Sequence, residues 1–132
     1  MAEDRVLLID DEAQFVATTA KRLRRRGFSV LEANSGPEGL RHLEKGPVDV
    51  VVLDVGMPGM DGIQVLRALK MRFPQVQVLM LTGHGDMEVA ISGMAMGAFD
   101  YLMKPVDLEV LAGKIREACS RRTKAGEGSG MV

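Results

Sequence analysis

The sequence is poor in aromatic and thiol side chains. It contains no tryptophan, one tyrosine, four phenylalanines and one cysteine in 132 residues. Because Cys119 is the only cysteine, an internal disulfide and a zinc site built on cysteines are both excluded. The ten methionines and the aromatic content of 4% indicate an adaptable core more than a surface on which a ligand would stack.

The chain also lacks a strong charge of either sign and a long apolar run. Its formal net charge is -1, which gives no reason to expect a nucleic-acid surface over the whole domain. The apolar runs are only as long as a strand, and no signal-peptide pattern opens the chain, so we expect a cytoplasmic protein. A content of 46% apolar and 27% charged residues fits one globular domain.

What is present is a regular alternation of short apolar runs with helical patterns. The predicted strands are Arg5 to Ile9, Phe28 to Ala33, Val50 to Leu53, Val76 to Leu81 and Phe99 to Met103. A segment with helical spacing of apolar residues follows each of them. Five strands alternating with five helices predict an α/β fold, in which a five-stranded parallel sheet is covered by helices on both faces.

Local signals place the helix boundaries. Ser35 and Glu38 have the spacing of a capping box, and Asp61 and Asp107 are predicted to begin the third and fifth helices. Before Asp61, Pro58 and Gly59 keep the chain out of regular structure. The helix between residues 86 and 97 contains glycine and should be weak, which makes it a candidate moving part. We predict one domain over residues 1–122, and over residues 123–132 a flexible tail or the start of a linker.

Polar side chains follow the predicted strands where each strand ends. Since parallel strands all point the same way, Asp10, Asp11, Asp54, Thr82 and Lys104 should gather at one edge of the sheet. Three carboxylates in one crevice repel one another unless a cation joins them. Oxygen ligands without a nearby thiolate favour Mg²⁺, with Mn²⁺ as the alternative, over Zn²⁺.

These side chains are suited to accepting a phosphoryl group. A carboxylate would be the nucleophile, and Asp54 is held by a rigid strand and faces a loop. Lys104 would supply a fixed cation, and Thr82 would hydrogen-bond a phosphoryl oxygen. Gly83 beside Thr82 leaves room for the group to enter.

At these residues the chain resembles the receiver domain of bacterial two-component response regulators. Four motifs carry the resemblance in order and spacing, namely Asp10-Asp11, Asp54 in Asp-Val-Gly-Met-Pro-Gly-Met-Asp-Gly, Thr82-Gly83 and Lys104-Pro105. The resemblance extends from about Arg5 to Arg121. It implies a doubly wound, flavodoxin-like (βα)5 sandwich with strand order 2-1-3-4-5.

The same resemblance implies roles for single residues. Asp54 would be phosphorylated by a histidine kinase or a small phosphodonor. Asp11, Asp54 and the backbone carbonyl of Gly56 would hold Mg²⁺, with Asp10 acting through a bound water. The bond before Pro105 would be cis.

A switch is implied as well. Thr82 would move toward the phosphoryl group and Tyr101 would turn into the vacated space, which would change the surface formed by the fourth helix, fifth strand and fifth helix. That surface would bind an output partner, the protein's own effector domain or a second copy of the chain. The domain would not be an enzyme in the usual sense, and it would bind neither a membrane nor, directly, a nucleic acid.

Three other interpretations stay open. The chain is either a stand-alone receiver or the N-terminal receiver of a larger DNA-binding regulator, which the Thr-Gly-His-Gly-Asp stretch weakly favours. A metal-dependent aspartyl phosphatase is disfavoured because Gly56 stands where such enzymes carry a general acid. A flavodoxin-like cofactor binder is disfavoured because the strand ends offer carboxylates instead of a phosphate-cradling loop. His84 is interpreted as a loop residue and His42 as a helix-face residue.

Overall fold

The computed structural model describes residues 3–57, 62–83 and 85–131, and from residue 122 onward only the course of the backbone. The strands are β1 Arg5–Ile9, β2 Ser29–Ala33, β3 Val50–Asp54, β4 Gln77–Thr82 and β5 Asp100–Met103. The helices are α1 Ala13–Arg25, α2 Gly36–Lys45, α3 Gly62–Arg72, α4 Met87–Ala95 and α5 Leu108–Met131. None of the helices in these ranges is long and apolar enough to cross a membrane.

The five strands form one parallel sheet in the order β2-β1-β3-β4-β5. This order and the strict alternation of strands and helices confirm the predicted doubly wound, flavodoxin-like fold. The strand β3 lies at the centre, between β1 and β4. Its five residues are all buried, as expected for an apolar run without polar alternation in a sheet that helices cover on both faces.

Two separate cores lie on the two faces of the sheet because successive side chains of a strand point to opposite faces. Val51 and Leu53 pack with apolar residues of α2, α3 and α4, whereas Val50 and Val52 pack with those of α1 and α5. Full burial of one such side chain stabilises a fold by about 1.5–3 kcal/mol. The two cores therefore hold β3 in place and leave its last residue, Asp54, at the edge of the sheet.

The helix starts that the structure describes agree with the predicted caps. The Glu38 N–H donates to Ser35 Oγ at 3.2 Å, and the Glu38 carboxylate accepts from the N–H of Asn34 at 3.3 Å. At α5, Asp107 Oδ1 accepts from the N–H groups of Glu109 and Val110 at 2.8 and 3.1 Å. The predicted cap at Asp61, with Pro58 and Gly59, lies outside the described residues.

Strand boundaries differ from the prediction by one residue at five places, one of which is the inclusion of Asp54 at the end of β3. Phe28 precedes β2 because its N–H donates to the Leu23 carbonyl of α1 at 3.3 Å and its ring packs in the core beside α1 and α5. The strand β4 begins at Gln77 and includes Thr82, which pairs with Met103, while β5 begins one residue late, at Asp100. The predicted change to a flexible tail after residue 122 stays a prediction.

Candidate functional site

The predicted site residues lie at the carboxyl-terminal edge of the sheet. In the register of the sheet Asp54 pairs with Leu81, and Thr82 pairs with Met103. The N–H of Lys104 donates to the Thr82 carbonyl at 2.8 Å, which continues the β4–β5 ladder to the lysine. Each side chain is thus fixed by a strand end and not by a long loop.

A single ammonium group joins the acidic side chains. Lys104 Nζ lies 2.7 Å from Asp10 Oδ2, 2.9 Å from Glu12 Oε1 and 3.8 Å from Asp54 Oδ2. It also lies 4.5 Å from the centre of the Phe15 ring, a favourable position for a cation. Oxygens of Asp10, Glu12 and Asp54 all lie within 4.8 Å of one another. The arrangement places negative charge around one cation in a small volume.

Asp54 is a buried carboxylate. It is 8% exposed, and its Oδ1 accepts a hydrogen bond from the Gly56 N–H at 3.0 Å. Burial raises the pKa of Asp54 to about 6, assisted by the negative charge of Asp10 and opposed by the Gly56 N–H and by Lys104. The group is therefore ionised at neutral pH, but its charge is poorly solvated, which is typical of a reactive carboxylate.

Lys104 stays charged in this environment. Burial acts to lower its pKa, but hydrogen bonds to Asp10 and Glu12 and the charges of Asp10 and Asp54 outweigh burial, so the pKa of Lys104 is raised. Its side chain is 18% exposed. The lysine is thus a permanent cation at the mouth of the crevice.

Thr82 and Tyr101 occupy neighbouring strands. Thr82 is fully buried and its hydroxyl donates to the carbonyl of Gly83 at 3.3 Å. Tyr101 pairs with Met80 in the β4–β5 ladder and packs, partly buried, against the core beside α3 and α4. The peptide bond between Lys104 and Pro105 is cis.

The sequence is similar to those of known proteins. The family model described as "Response regulator receiver domain" matches residues 6–116, which is most of the chain. The chain belongs to the response regulator receiver domain family. The motifs that carried the resemblance therefore stand in a receiver of two-component signalling.

Curated relatives of this receiver are much longer proteins. A putative response regulator, NtrX-like, of Rickettsia felis is 34% identical over 121 residues, which are 90% of this chain and 26% of the relative. The transcriptional regulatory protein GlrR of Escherichia coli is 37% identical over 120 residues, 91% of this chain and 27% of the relative. The receiver thus spans about a quarter of the length of these relatives.

Solved structures agree with the fold. A response regulator receiver domain protein from Clostridium thermocellum has a TM-score of 0.88 and 38% identity, covering 95% of this chain and 99% of that one. NtrX from Brucella abortus has a TM-score of 0.92 and 28% identity, covering 100% of this chain and 30% of that one. The receiver is similar both to a separate receiver protein and to part of a longer regulator.

Two predicted metal ligands of the receiver, Asp11 and Gly56, stand differently toward the carboxylate cluster. Asp11 is exposed and does not contribute to the acidic group found among the described residues. Gly56 takes part through its N–H, which binds Asp54 Oδ1, while its predicted role concerns its carbonyl. The roles of Asp11 and of the Gly56 carbonyl stay predictions. His84 lies outside the described residues, and His42 Nε2 is 3.0 Å from the Glu32 carbonyl, far along α2.

Sequence reasoning assigned no role to two acidic residues of the receiver. The carboxylate of Glu12 binds Lys104, and the N–H of Glu12 donates to Asp10 Oδ1 at 2.9 Å. The position of Glu12 two residues after Asp10 was a usable signal for this backbone bond, because an aspartate side chain commonly accepts from the N–H two residues on. Asp86 was taken only as the start of α4, yet its carboxylate points back toward Gly56 and Gly83.

Proposed function

We propose that this receiver accepts a phosphoryl group on Asp54 from a histidine kinase or a small phosphodonor. A carboxylate oxygen of Asp54 attacks the phosphorus, and the bond from phosphorus to the donor breaks. The donor leaves as neutral imidazole in the case of a phosphohistidine whose other ring nitrogen carries a proton, or as acetate in the case of acetyl phosphate. The observation that carries the proposal is the buried Asp54 carboxylate, with Lys104 Nζ 3.8 Å from its Oδ2 and the Asp10 and Glu12 carboxylates beside it.

The donor set fits a hard divalent cation. The clustered oxygens come from carboxylates, and no sulfur or imidazole lies among them, which favours Mg²⁺, with Mn²⁺ second. We assign its binding to Asp11, Asp54 and the carbonyl of Gly56, with Asp10 acting through water. When bound, the cation neutralises the charge of the phosphoryl oxygens.

Lys104 and Thr82 act on the phosphoryl group itself. The ammonium group at the mouth of the crevice attracts a phosphoryl oxygen without moving far, because Asp10 already holds it there. The Thr82 hydroxyl, which binds the Gly83 carbonyl in the present arrangement, turns to another phosphoryl oxygen. Tyr101 then moves into the space beside Thr82, and the surface of α4, β5 and α5 changes.

Intact mass after incubation with acetyl phosphate tests the proposal. The wild type is expected to gain one phosphoryl group when Mg²⁺ is present and none in its absence. Asp54→Asn should gain none. Asp4→Asn is the matched control, because Asp4 is an exposed carboxylate before β1, at the opposite edge of the sheet. A wild type that stays unmodified with Mg²⁺ present contradicts the proposal.

The output of the switch is proposed to depend on the α4-β5-α5 surface. Ile91, Met94 and Met103 are apolar residues exposed there at 64%, 38% and 41%. We propose that phosphorylation changes the affinity of this surface for an output partner, for an effector domain or for a second copy. Amide signals of α4, β5 and α5 should shift when beryllofluoride is added with Mg²⁺, and unchanged signals there count against it.

We further propose that the receiver is the N-terminal part of a larger transcriptional regulator that works in the cytoplasm with its kinase. The support is that the NtrX-like and GlrR relatives are about four times as long as the matched region. The complete open reading frame, read beyond residue 132 and followed by a DNA-binding assay of its product, tests this. A stop codon after residue 132 would favour a stand-alone receiver instead.

A further inference from the structure

The carboxylate of Asp86, at the start of α4, contacts the phosphoacceptor site instead of its own helix. Asp86 Oδ2 accepts a hydrogen bond from the N–H of Gly83 at 3.3 Å. The Asp86 N–H in turn donates to the Gly83 carbonyl at 3.2 Å. That carbonyl also accepts the hydroxyl of Thr82 at 3.3 Å. The backbone N–H of Asp86 and the hydroxyl of Thr82 therefore bind the same carbonyl group.

The Asp86 carboxylate lies beside Asp54. A side chain at Gly56 would place its Cβ 3.0 Å from Asp86 Oδ2 and 3.5 Å from Asp54 Oδ1, so the two carboxylates flank the same point. The absence of a side chain at Gly56 leaves room for both. A phosphoryl group on Asp54 enters this space with a charge of about -1.5 to -2 and needs hydrogen-bond donors. The N–H of Gly83 is a donor there, and Asp86 already occupies it.

The first turn of α4 lacks the cap that Asp86 could provide. An aspartate before a helix normally accepts from the N–H of the second or third helical residue, here Glu88 or Val89. Asp86 makes no such bond, although its carbonyl accepts the Ala90 N–H at 3.0 Å as expected for a residue in this position. The side chain thus contacts the Gly83 N–H and leaves the N–H groups in the first turn of α4 without a bond from it.

We propose that Asp86 is a positioning residue that occupies the Gly83 N–H in the unphosphorylated receiver and moves to cap α4 when the phosphoryl group takes that N–H. This rests on the proposed phosphorylation of Asp54 and adds a direct connection from the phosphoryl group to α4. Repulsion between the phosphoryl group and the Asp86 carboxylate moves the carboxylate away from Gly83. It then accepts hydrogen bonds from the N–H groups in the first turn of α4. Asp86 therefore opposes entry of the anion and stabilises the state that follows.

Binding of beryllofluoride to the isotope-labelled protein in Mg²⁺ tests the proposal, with affinity measured from the Gly83 amide signal. Asp86→Ala removes both the charge and the hydrogen-bond acceptor, and Asp86→Asn removes only the charge. Glu88→Gln is the matched control, because it removes one exposed carboxylate from the same helical turn. Hydrogen exchange of the Glu88 and Val89 amides, with and without beryllofluoride, is the second readout.

Asp86→Ala is expected to bind beryllofluoride about tenfold more tightly than the wild type, as when the open arrangement is about one-tenth populated in the wild type. Asp86→Asn should also bind more tightly than the wild type, because the repelling charge is gone, but less tightly than Asp86→Ala, because its amide oxygen still accepts a hydrogen bond. The Glu88→Gln control should bind like the wild type. Beryllofluoride should slow exchange of the Glu88 and Val89 amides in the wild type and in Asp86→Asn, which keeps an acceptor. In Asp86→Ala this protection should not appear.

Two results overturn the inference alone. One is wild-type affinity in both Asp86 variants, and the other is unchanged exchange of the two amides in a wild type that binds beryllofluoride. A wild type that neither binds beryllofluoride nor gains a phosphoryl group overturns the proposed function and this inference together. Because Asp86→Asn keeps the shape of the side chain, it decides the question even when Asp86→Ala does not fold.

Discussion

The buried charge of Asp54 destabilises the folded state. The Asp54 carboxylate is buried, its charge is repelled by Asp10, and the Gly56 N–H and Lys104 favour the ionised form. A pKa raised to about 6 means that the folded protein holds this proton more tightly than the unfolded chain does. Above that pH the buried charge therefore opposes folding.

We predict that Asp54→Asn is more stable than the wild type at pH 7.5 without divalent cations. The pKa difference between about 6 and the unfolded value corresponds to about 2–3 kcal/mol, and we expect about 2 kcal/mol in the free energy of unfolding. Urea denaturation in EDTA measures it, with Asp4→Asn as control. Equal stability of Asp54→Asn and the wild type would contradict the prediction.

The pH dependence gives a second test of the same charge. Since the folded-state pKa is raised, the destabilisation is fully present above about pH 6 and disappears as the pH falls toward the unfolded value of about 4. The difference between Asp54→Asn and the wild type should therefore shrink as the pH is lowered from 7.5 to 4. If the difference in stability between Asp54→Asn and the wild type is constant over this pH range, the charge of Asp54 is not its cause.

Lys104 is the counterpart of that acidic cluster. Replacing it with Met leaves Asp10 and Glu12 without their ion pairs and removes the nearest cation from Asp54. Loss of one partner of a fully buried pair costs 3–5 kcal/mol, and because Lys104 is partly exposed we expect about 2 kcal/mol. Urea denaturation of Lys104→Met and of the double variant with Asp54→Asn checks this. The double variant should recover part of the loss, and strictly additive effects would contradict the coupling.

At the scale of elements, pattern and turn chemistry predicted the fold well. The unbroken apolar run of β3 indicated burial on both faces, and the Ser35 and Glu38 spacing indicated the start of α2. Strand ends shifted by one residue because pairing with a neighbour, as for Thr82 with Met103, is a tertiary property. A single sequence contains no direct signal of which residues pair across neighbouring strands.

The site could be predicted only where a strand end fixed the residue. Asp10, Asp54, Thr82 and Lys104 follow or end strands, so the parallel sheet brings them to one edge. The partners of Glu12 and Asp86 depend instead on how the chain turns after a strand, and either residue could equally have capped its helix. Their side chains do not cap the helices but point back to the site. The spacing of capping residues does not predict this direction.

The glycine at the start of α3 shows how closely an element is packed. A Cβ at Gly62 would lie 2.4 Å from Val55 Cα, a backbone atom that cannot move aside, whereas one at Gly113 in α5 would meet nothing within 4 Å. We predict that Gly62→Ala lowers the free energy of unfolding by about 2–3 kcal/mol. Gly113→Ala, the matched control, should raise it by up to about 1 kcal/mol through helix propensity. Equal effects of the two substitutions in thermal or urea denaturation would contradict the close packing of α3 on Val55.

At the scale of the whole molecule, the site and the two cores share the same sheet. Every strand that contributes a site residue is also packed between helix layers, so charge at the edge and stability of the fold are coupled. Anything that binds the folded edge but not the unfolded chain shifts the unfolding equilibrium of the entire domain. The melting temperature therefore reports on occupation of the site.

Mg²⁺ is accordingly expected to raise the melting temperature of the wild type at constant ionic strength. A cation at 100 times its dissociation constant contributes about 2.7 kcal/mol, because it binds the gathered carboxylates only in the folded state. The gain should be smaller at pH 5 than at pH 7.5, since protonation of Asp54 with its pKa of about 6 removes a ligand charge. Asp10→Asn combined with Asp54→Asn should lose most of the gain, and Asp4→Asn should keep it. An equal gain in the melting temperature of the double variant would mean that the cation binds away from the edge of the sheet. The acidic cluster would then serve as the ion-pair partner of Lys104 and not as a cation site.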